Sequence, residues 1–290
     1  MKDGIIIINK EKNYTSRDIV NIVSKELNTK KVGHTGTLDP NAEGVLVLCI
    51  NKALKIAELI TANDKEYIAK VRLGYETDTL DNDGKITLYD NNNINITKED
   101  VINCLEKFKG KINQTVPMYS SIKINGKKLY EYARNNEKIT PPTREVTIYN
   151  IELISDVAKK EKYYEFDIKC KVSKGTYIRS LVRDIGYALN TYATMIELKR
   201  IKQGKFKIED SNSLNDIKNN NYKLYKIEEV LDINKIILTK EETFKAKNGQ
   251  KLNKVINQGE KVLLLDESNN LIAIYQYNNE TEIKPWKVFN

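Results

Sequence analysis

The residues best suited to chemistry concentrate in one polar stretch, Gly33-His34-Thr35-Gly36-Thr37-Leu38-Asp39-Pro40, continued by Asn41-Ala42-Glu43-Gly44. It holds the single histidine of the sequence and a carboxylate set directly before a proline. Pro40 disfavours helical backbone at Asp39, so the carboxylate sits on extended or turning chain. An aspartate side chain supplies an anion at neutral pH. Gly33, Gly36 and Gly44 permit turns and close approach to a ligand. Apolar segments flank the stretch, Ile19 to Leu27 before it and Val45 to Ile50 after it. It therefore reads as a soft loop on a packed scaffold, the usual location of reactive groups. Taken alone, the run also suits an ordinary surface turn.

Several other chemistries lack their signatures. There is no G-x-x-x-x-G-K-[ST] or G-x-G-x-x-G run to cradle a nucleotide phosphate. One histidine excludes a His-rich metal site. Cys49, Cys104 and Cys170 are odd in number, widely spaced and set among apolar residues. They read as core residues of a reducing compartment, not as bridges or zinc ligands. Thr77 to Gly84 (TDTLDNDG) looks like a calcium loop, with Asp81 and Asp83 at ligand positions. Alignment on Gly84 puts Thr79 first and Asp90 twelfth, where an EF-hand needs Asp and a bidentate Glu. No metal and no cofactor is expected.

The elements that must position Asp39 follow from hydrophobic periodicity. Ile5 to Ile8 is a continuous apolar run, the pattern of a buried strand. Thr15-Ser16 offers an N-cap for a helix with Ile19, Val20, Val23 and Leu27 at helical spacing. Val45 to Ile50 reads as a strand and Ala53 to Ile60 as a helix. Lys65 to Gly74 alternates, with Tyr67, Ala69, Val71 and Leu73 on one face. Thr97-x-x-Asp100 is a capping box ahead of Val101, Leu105 and Phe108, with Gly110 as the stop. Gln114 to Arg134 is basic with interleaved tyrosines, which suits a solvated hairpin or an RNA-gripping loop. Val146 to Ile154 and Tyr163 to Val172 read as strands. Ser173-Lys174-Gly175-Thr176-Tyr177-Ile178-Arg179 then opens a helix with the stripe Ile178, Leu181, Val182, Ile185 and Leu189. Arg179 and Arg183 lie off that stripe, as solvated arginines would. The start of such a helix favours an anion. Asp210 to Asn234 reads as an Asn- and Lys-rich connector. From Lys235 onward short strands recur, notably Lys261 to Leu265 and Leu271 to Tyr277.

Composition sets the partner class. In 290 residues, 48 Lys and Arg stand against 40 Asp and Glu, a formal charge of +8. That surplus suits a polyanion. The amino-terminal Ile run is too short for a signal peptide, and no apolar stretch approaches the roughly 20 residues of a membrane span. A soluble cytoplasmic protein, without membrane attachment, is expected.

Lys30 to Leu46, KKVGHTGTLDPNAEGVL, resembles the active-site loop of the bacterial tRNA pseudouridine-55 synthases, the TruB family. Further likenesses follow in order along the chain. Tyr67 matches a K-x-Y context, and Thr77 to Gly84 a T-D-T-x-D-x-x-G connecting loop. Gln114 to Arg134 matches Q-x-P-P-x-Y-S-A-x-K-x-x-G-x-x-x-Y-x-x-A-R, departing at Val116 and Ser121. Ser173 to Arg179 matches S-K-G-T-Y-I-R. Glu197-Leu198-Lys199-Arg200 matches an L-R-R strand, with Lys199 replacing the first arginine. Lys10-Glu11 departs from the usual Lys-Pro, which should loosen a turn near the site. These motifs span about Gly4 to Phe206.

The resemblance implies a catalytic Asp39, paired with Arg179, and Tyr67 stacked on the target base. It places Tyr177 beside the substrate, Leu198 in the base pocket and His34 against the flipped nucleotide. The implied fold is α+β: a pseudouridine synthase core with a mixed, largely antiparallel sheet flanked by helices, over residues 1–234. An inserted RNA-binding loop occupies about 114–145. A small β-rich, PUA-like RNA-binding domain follows over 235–290. The implied activity is that of an isomerase converting uridine to pseudouridine at position 55 in the tRNA T loop, by base flipping, glycosidic cleavage and C–C bond formation. Asp39 has three routes open: attack on the sugar C1′, attack on uracil C6, or removal of a ribose proton. The implied partner is the T stem-loop of tRNA, bound by a monomer without guide RNA, and a tRNA-folding role can coexist. Two rival readings are a guide-RNA-dependent synthase, disfavoured by the bacterial-style spacing, and a non-catalytic RNA-binding or tRNA-folding protein on the same scaffold.

Overall fold

The four isoleucines Ile5 to Ile8 form the middle of an edge strand, Gly4–Lys10, and all four are fully buried. A continuous apolar run is stable there because both faces are covered. Ile6 and Ile8 pack with Ile19, Val20 and Val23 of the helix Ser16–Glu26, while Ile5 and Ile7 pack with Leu263, Ile274 and Phe289 of the carboxyl-terminal part. Each such side chain contributes on the order of 1.5–3 kcal/mol. A computed structural model describes residues 3–90 and 95–289.

The strand belongs to a ten-stranded sheet. Across its main path the order is Gly4–Lys10, Glu43–Ile50, Ala193–Gln203, Lys65–Leu73, Tyr163–Val172, Thr143–Leu153 and Gly110–Thr115. Neighbours are antiparallel except Glu43–Ile50 beside Ala193–Gln203, which run parallel with Arg200 opposite Gly44. The sheet is thus mixed and largely antiparallel, as expected. The alternation of Lys65–Leu73 turns Tyr67, Ala69, Val71 and Leu73 into one core. The helices Lys98–Glu106 and Ile178–Ala188 close that core through Val101, Leu105, Leu181, Val182 and Ile185.

Both foreseen capping boxes form, Thr15 with Asp18 and Thr97 with Asp100. Other local readings need correction. The segment expected as one helix over Ala53 to Ile60 starts as a 3-10 turn, Asn51–Ile56, before the α-helix Ala57–Thr61. Gly110 does not end its helix, which stops at Glu106; it opens the next strand at φ 100°. The basic stretch forms a small hairpin, Lys123–Ile124 with Lys127–Lys128, followed by the helix Leu129–Arg134.

The connector is no loose tether. It carries the short helices Leu214–Lys218 and Ile227–Val230, and Tyr225 exchanges two backbone hydrogen bonds with Ile5 at 2.8 and 2.9 Å. Beyond it, Lys235–Ile237, Lys261–Leu265, Leu271–Tyr277 and Ile283–Val288 form a four-stranded sheet. The helix Lys240–Lys247, which the sequence pattern does not predict, packs there mainly through Ala246.

Candidate active site

The loop bearing Asp39 is held from three sides rather than left soft. Lys10, wholly buried at the end of the edge strand, donates to the carbonyls of Glu11 at 2.9 Å, Tyr14 at 2.7 Å and Pro40 at 2.9 Å. One ammonium therefore joins the turn after the strand to the residue following Asp39, and the Lys10-Glu11 departure leaves that turn tied. The Ser16 hydroxyl accepts from the Leu38 N–H at 2.9 Å and donates to the Leu38 carbonyl at 3.1 Å. Arg200, 1 % exposed, donates through Nε to the Val45 carbonyl at 2.7 Å and through Nη2 to the Gly36 carbonyl at 3.0 Å. Gly44 makes this approach possible: it sits at φ 103°, and a Cβ there would overlap the Arg200 carbonyl oxygen.

Arg179 rises from the first turn of Ile178–Ala188 and meets Asp39 with two donors, Nε to Oδ2 at 3.0 Å and Nη2 to Oδ1 at 3.3 Å. Its other bonds fix the guanidinium plane. Nη1 donates to the Thr79 carbonyl at 2.9 Å and lies 3.5 Å from Asp81 Oδ2, while Nη2 donates to the Tyr119 carbonyl at 3.0 Å. A delocalised fork can satisfy such a planar set of acceptors, and an ammonium cannot. Of the two readings open for Arg179, the solvated one does not hold, since the residue is 5 % exposed. The pairing with Asp39 implied by the resemblance is present. Asp81, at a ligand position of the calcium-like string, instead faces this cation.

A cavity of about 510 Å³ opens in front of the pair, with Asp39, Tyr67, Tyr177, Arg179 and Leu198 on its wall. A second space of about 270 Å³ adjoins it, and Asp39, Tyr119, Arg179 and Leu198 line both. Tyr67 lies between Cys170 and Arg200 in the sheet register. Burial raises its phenol pKa above the ordinary value, against the opposing pull of the Arg200 charge, so the hydroxyl is neutral at neutral pH. Tyr177 has its backbone clamped by Gln114, whose amide donates to the Tyr177 carbonyl at 3.0 Å and accepts from its N–H at 2.8 Å.

His34 stands apart. It ends the short strand Val32–His34 and is not among the residues lining either cavity. Burial, then the charges of Arg17 and Arg200, lower its pKa, and its Nδ1 has no hydrogen-bond partner. The sequence alone assigns no role to the side chains of Lys10, Lys65, Arg144 or Gln114. Lys65 lines the large cavity and donates to the carbonyls of Thr61 at 3.1 Å and Asn63 at 2.6 Å. Burial brings the ammonium groups of both Lys10 and Lys65 down to about 8. A lysine or glutamine inside an alternating strand was the available signal, because buried long polar side chains are rare without a partner.

Comparison with known proteins decides the family. Residues 24–178 match the model for "TruB family pseudouridylate synthase (N terminal domain)", and residues 179–263 match "tRNA pseudouridylate synthase B C-terminal domain". The chain belongs to the TruB family. It is 43 % identical over 305 aligned positions to the tRNA pseudouridine synthase B of Staphylococcus saprophyticus, covering 100 % of both chains. With that of Clostridium tetani the identity is 48 % over 219 positions, covering 76 % of this chain and 74 % of the relative. Among solved structures, an H/ACA RNP bound to a substrate RNA containing 2′-deoxyuridine has a chain that superposes with a TM-score of 0.70 at 23 % identity, over 99 % of this chain and 85 % of that one. An archaeal box H/ACA sRNP Nop10-Cbf5 complex gives 0.70 at 21 %, over 99 % and 86 %. At such identities the likeness extends to the fold, which is that of TruB-type pseudouridine synthases. No helix among the described residues is long and apolar enough to cross a membrane.

Proposed function

We propose that this TruB-family protein isomerises uridine to pseudouridine in tRNA, at position 55 of the T loop, with Asp39 as the catalytic group. The observation that carries this reading is an aspartate held by a buried arginine on the wall of a cavity that also presents Tyr67 and Leu198. The isomerisation breaks the N1–C1′ bond, forms a C5–C1′ bond and moves a proton from C5 to N1. It needs no oxidant and no energy input.

Each residue has a role consistent with its setting. Asp39 supplies an anion to the sugar or the base, and Arg179 fixes the carboxylate while balancing its charge. Tyr67 and Leu198 take the two sides of the uracil, an apolar slot for a flat ring. Because the Tyr67 phenol is neutral, its oxygen would take the C5 proton only as its own hydroxyl proton passes to a neighbouring acceptor such as water, which then carries a proton to N1. Flipping the target nucleotide costs a few kcal/mol of stacking, and we assign Tyr177 and His34 to contacts with the displaced RNA. His34 would reach the RNA from outside the cavity.

We further propose a division of labour in which residues 1–234 carry the chemistry. The segment 114–145 and the carboxyl-terminal sheet, over 235–290, would grip the tRNA T stem-loop. The protein would act as a cytoplasmic monomer without a guide RNA. The test is to incubate purified protein with an unmodified tRNA transcript and map pseudouridine at single-nucleotide resolution. Conversion confined to uridine 55 is expected; tight binding without any conversion would favour the non-catalytic RNA-binding reading.

A further inference from the structure

Among the described residues, Arg144 is a cation without an ion-pair partner. It sits at the start of the strand Thr143–Leu153, on the wall of the 510 Å³ cavity. The adjacent Glu145 pairs with Lys111 instead, and among the described residues Nη2 of Arg144 is shielded from solvent with no hydrogen-bond partner. A buried unsatisfied donor is expensive, more so on a charged group, and such groups in native proteins usually await a water, an ion or a ligand.

The surroundings hold the guanidinium in place instead of neutralising it. Its centre lies 4.8 Å from the Tyr177 ring centroid. The adjacent turn keeps room for it, because Gly175, at φ 84°, has no side chain where a Cβ would come within 2.9 Å of Arg144 Nη1. Arg144 is opposite Gln114 in the sheet, and Gln114 clamps the Tyr177 backbone. The helix that begins at Ile178 receives no side-chain cap from Tyr177, and exposed Lys174 lines the same wall. A stacked arginine, a lysine and the start of an eleven-residue helix without a side-chain cap thus all line the cavity, opposite in sign to a phosphate.

We propose that Arg144 binds a backbone phosphate of the RNA, one of the two phosphodiesters flanking the nucleotide whose base enters the cavity. Tyr177 then has a second task, as the platform that presents the guanidinium. This rests on the reading of the cavity as an RNA site. It adds a positioning contact distinct from the Asp39–Arg179 pair.

The test is a binding cycle with T stem-loop RNA in which either flanking phosphate is replaced by a neutral methylphosphonate. Wild-type protein and Arg144→Gln are compared by Kd over a range of salt. One of the two neutral linkages should weaken wild-type binding by about tenfold, Arg144→Gln should do the same to unmodified RNA, and the two changes together should cost no more than either alone. The slope of log K against log salt should fall by roughly one phosphate contact in the variant. Arg144→Lys, which keeps the charge and loses the fork, should retain the slope and lose part of the affinity; it also serves if the glutamine variant folds poorly. Fully additive losses, or wild-type indifference to both neutral linkages, would overturn the proposal. The cycle reads binding alone, so it discriminates even on RNA that is never isomerised. Absence of pseudouridine with wild-type protein would instead count against the proposed activity.

Discussion

Arg179 reaches both carboxylate oxygens of Asp39 from a position where 6 % of its own side chain is exposed, against 37 % for the aspartate. The cation is the fixed member of the pair, held also by Asp81 and the carbonyls of Thr79 and Tyr119. The carboxylate is the member presented to the cavity. Arg179→Lys should therefore keep a buried positive charge while losing the fork that sets the carboxylate plane. Misplacement of a reacting group by about 1 Å costs on the order of 100-fold, and a single-turnover rate reduced by that order is expected. A rate within a few-fold of wild type would show that orientation by the fork does not matter.

Tyr67→Phe keeps the ring and removes the hydroxyl. Stacking against the base should survive, so tRNA affinity should stay near wild type. Pseudouridine formation should fail, with adducts or detached base accumulating if the block falls at loss of the C5 proton. Quantitative mass spectrometry of the RNA checks this. Normal product formation would leave Tyr67 with packing alone.

Lys10 and Lys65 make a prediction about stability. Both hold their protons less tightly in the folded state, near 8, than the ordinary lysine value of 10.5. Between those values the unfolded chain binds more protons, so these two groups make stability rise with pH across the window from about 8 to 10.5. Each contributes an increase of roughly 1 kcal/mol between about pH 7 and about pH 9. Urea midpoints at the two pH values should show the gain for wild type and a smaller one for Lys65→Met. Equal pH dependence in both proteins would mean that Lys65 is not the group concerned.

The hairpin and helix after Gly110–Thr115 present Lys123, Lys127, Lys128 and Arg134. Lys127 lies over the Tyr132 ring at 4.7 Å, while Lys128 and Arg134 each lie 5.3 Å from that of Tyr130. Neutralising all four should weaken tRNA binding and reduce the salt slope by up to about four contacts, since each lost phosphate contact releases one counterion fewer. Unchanged affinity and slope would remove this segment from the RNA interface.

Much of this arrangement was legible in the sequence because the signals are local. The alternation around Tyr67, the capping boxes at Thr15 and Thr97, and the Asp39-Pro40 turn each depend on a few neighbouring residues. What escaped depends on distant partners. For Arg179 helical periodicity alone suits a solvated residue, and only the S-K-G-T-Y-I-R motif points to Asp39; periodicity assigns faces without knowing that Asp81 and the carbonyls of Thr79 and Tyr119 close over one of them. Lys10 and Arg200 stand in recognised motifs without a role attached, yet they tie down the loop through carbonyls 30 or more residues away. The helix Lys240–Lys247 was missed because it buries little and so leaves no apolar stripe.

Asp39→Asn is the most direct test of the central claim. The two side chains are nearly isosteric, and Arg179 keeps Asp81 and two carbonyls, so the site should stay assembled. The amide lacks the charge needed at the sugar or base. Pseudouridine mapped in an unmodified tRNA transcript, alongside tRNA affinity of the same preparation, should give binding within about tenfold of wild type, or ~1.4 kcal/mol, and no detectable product. Near-normal conversion by rigorously purified Asp39→Asn protein would contradict the account.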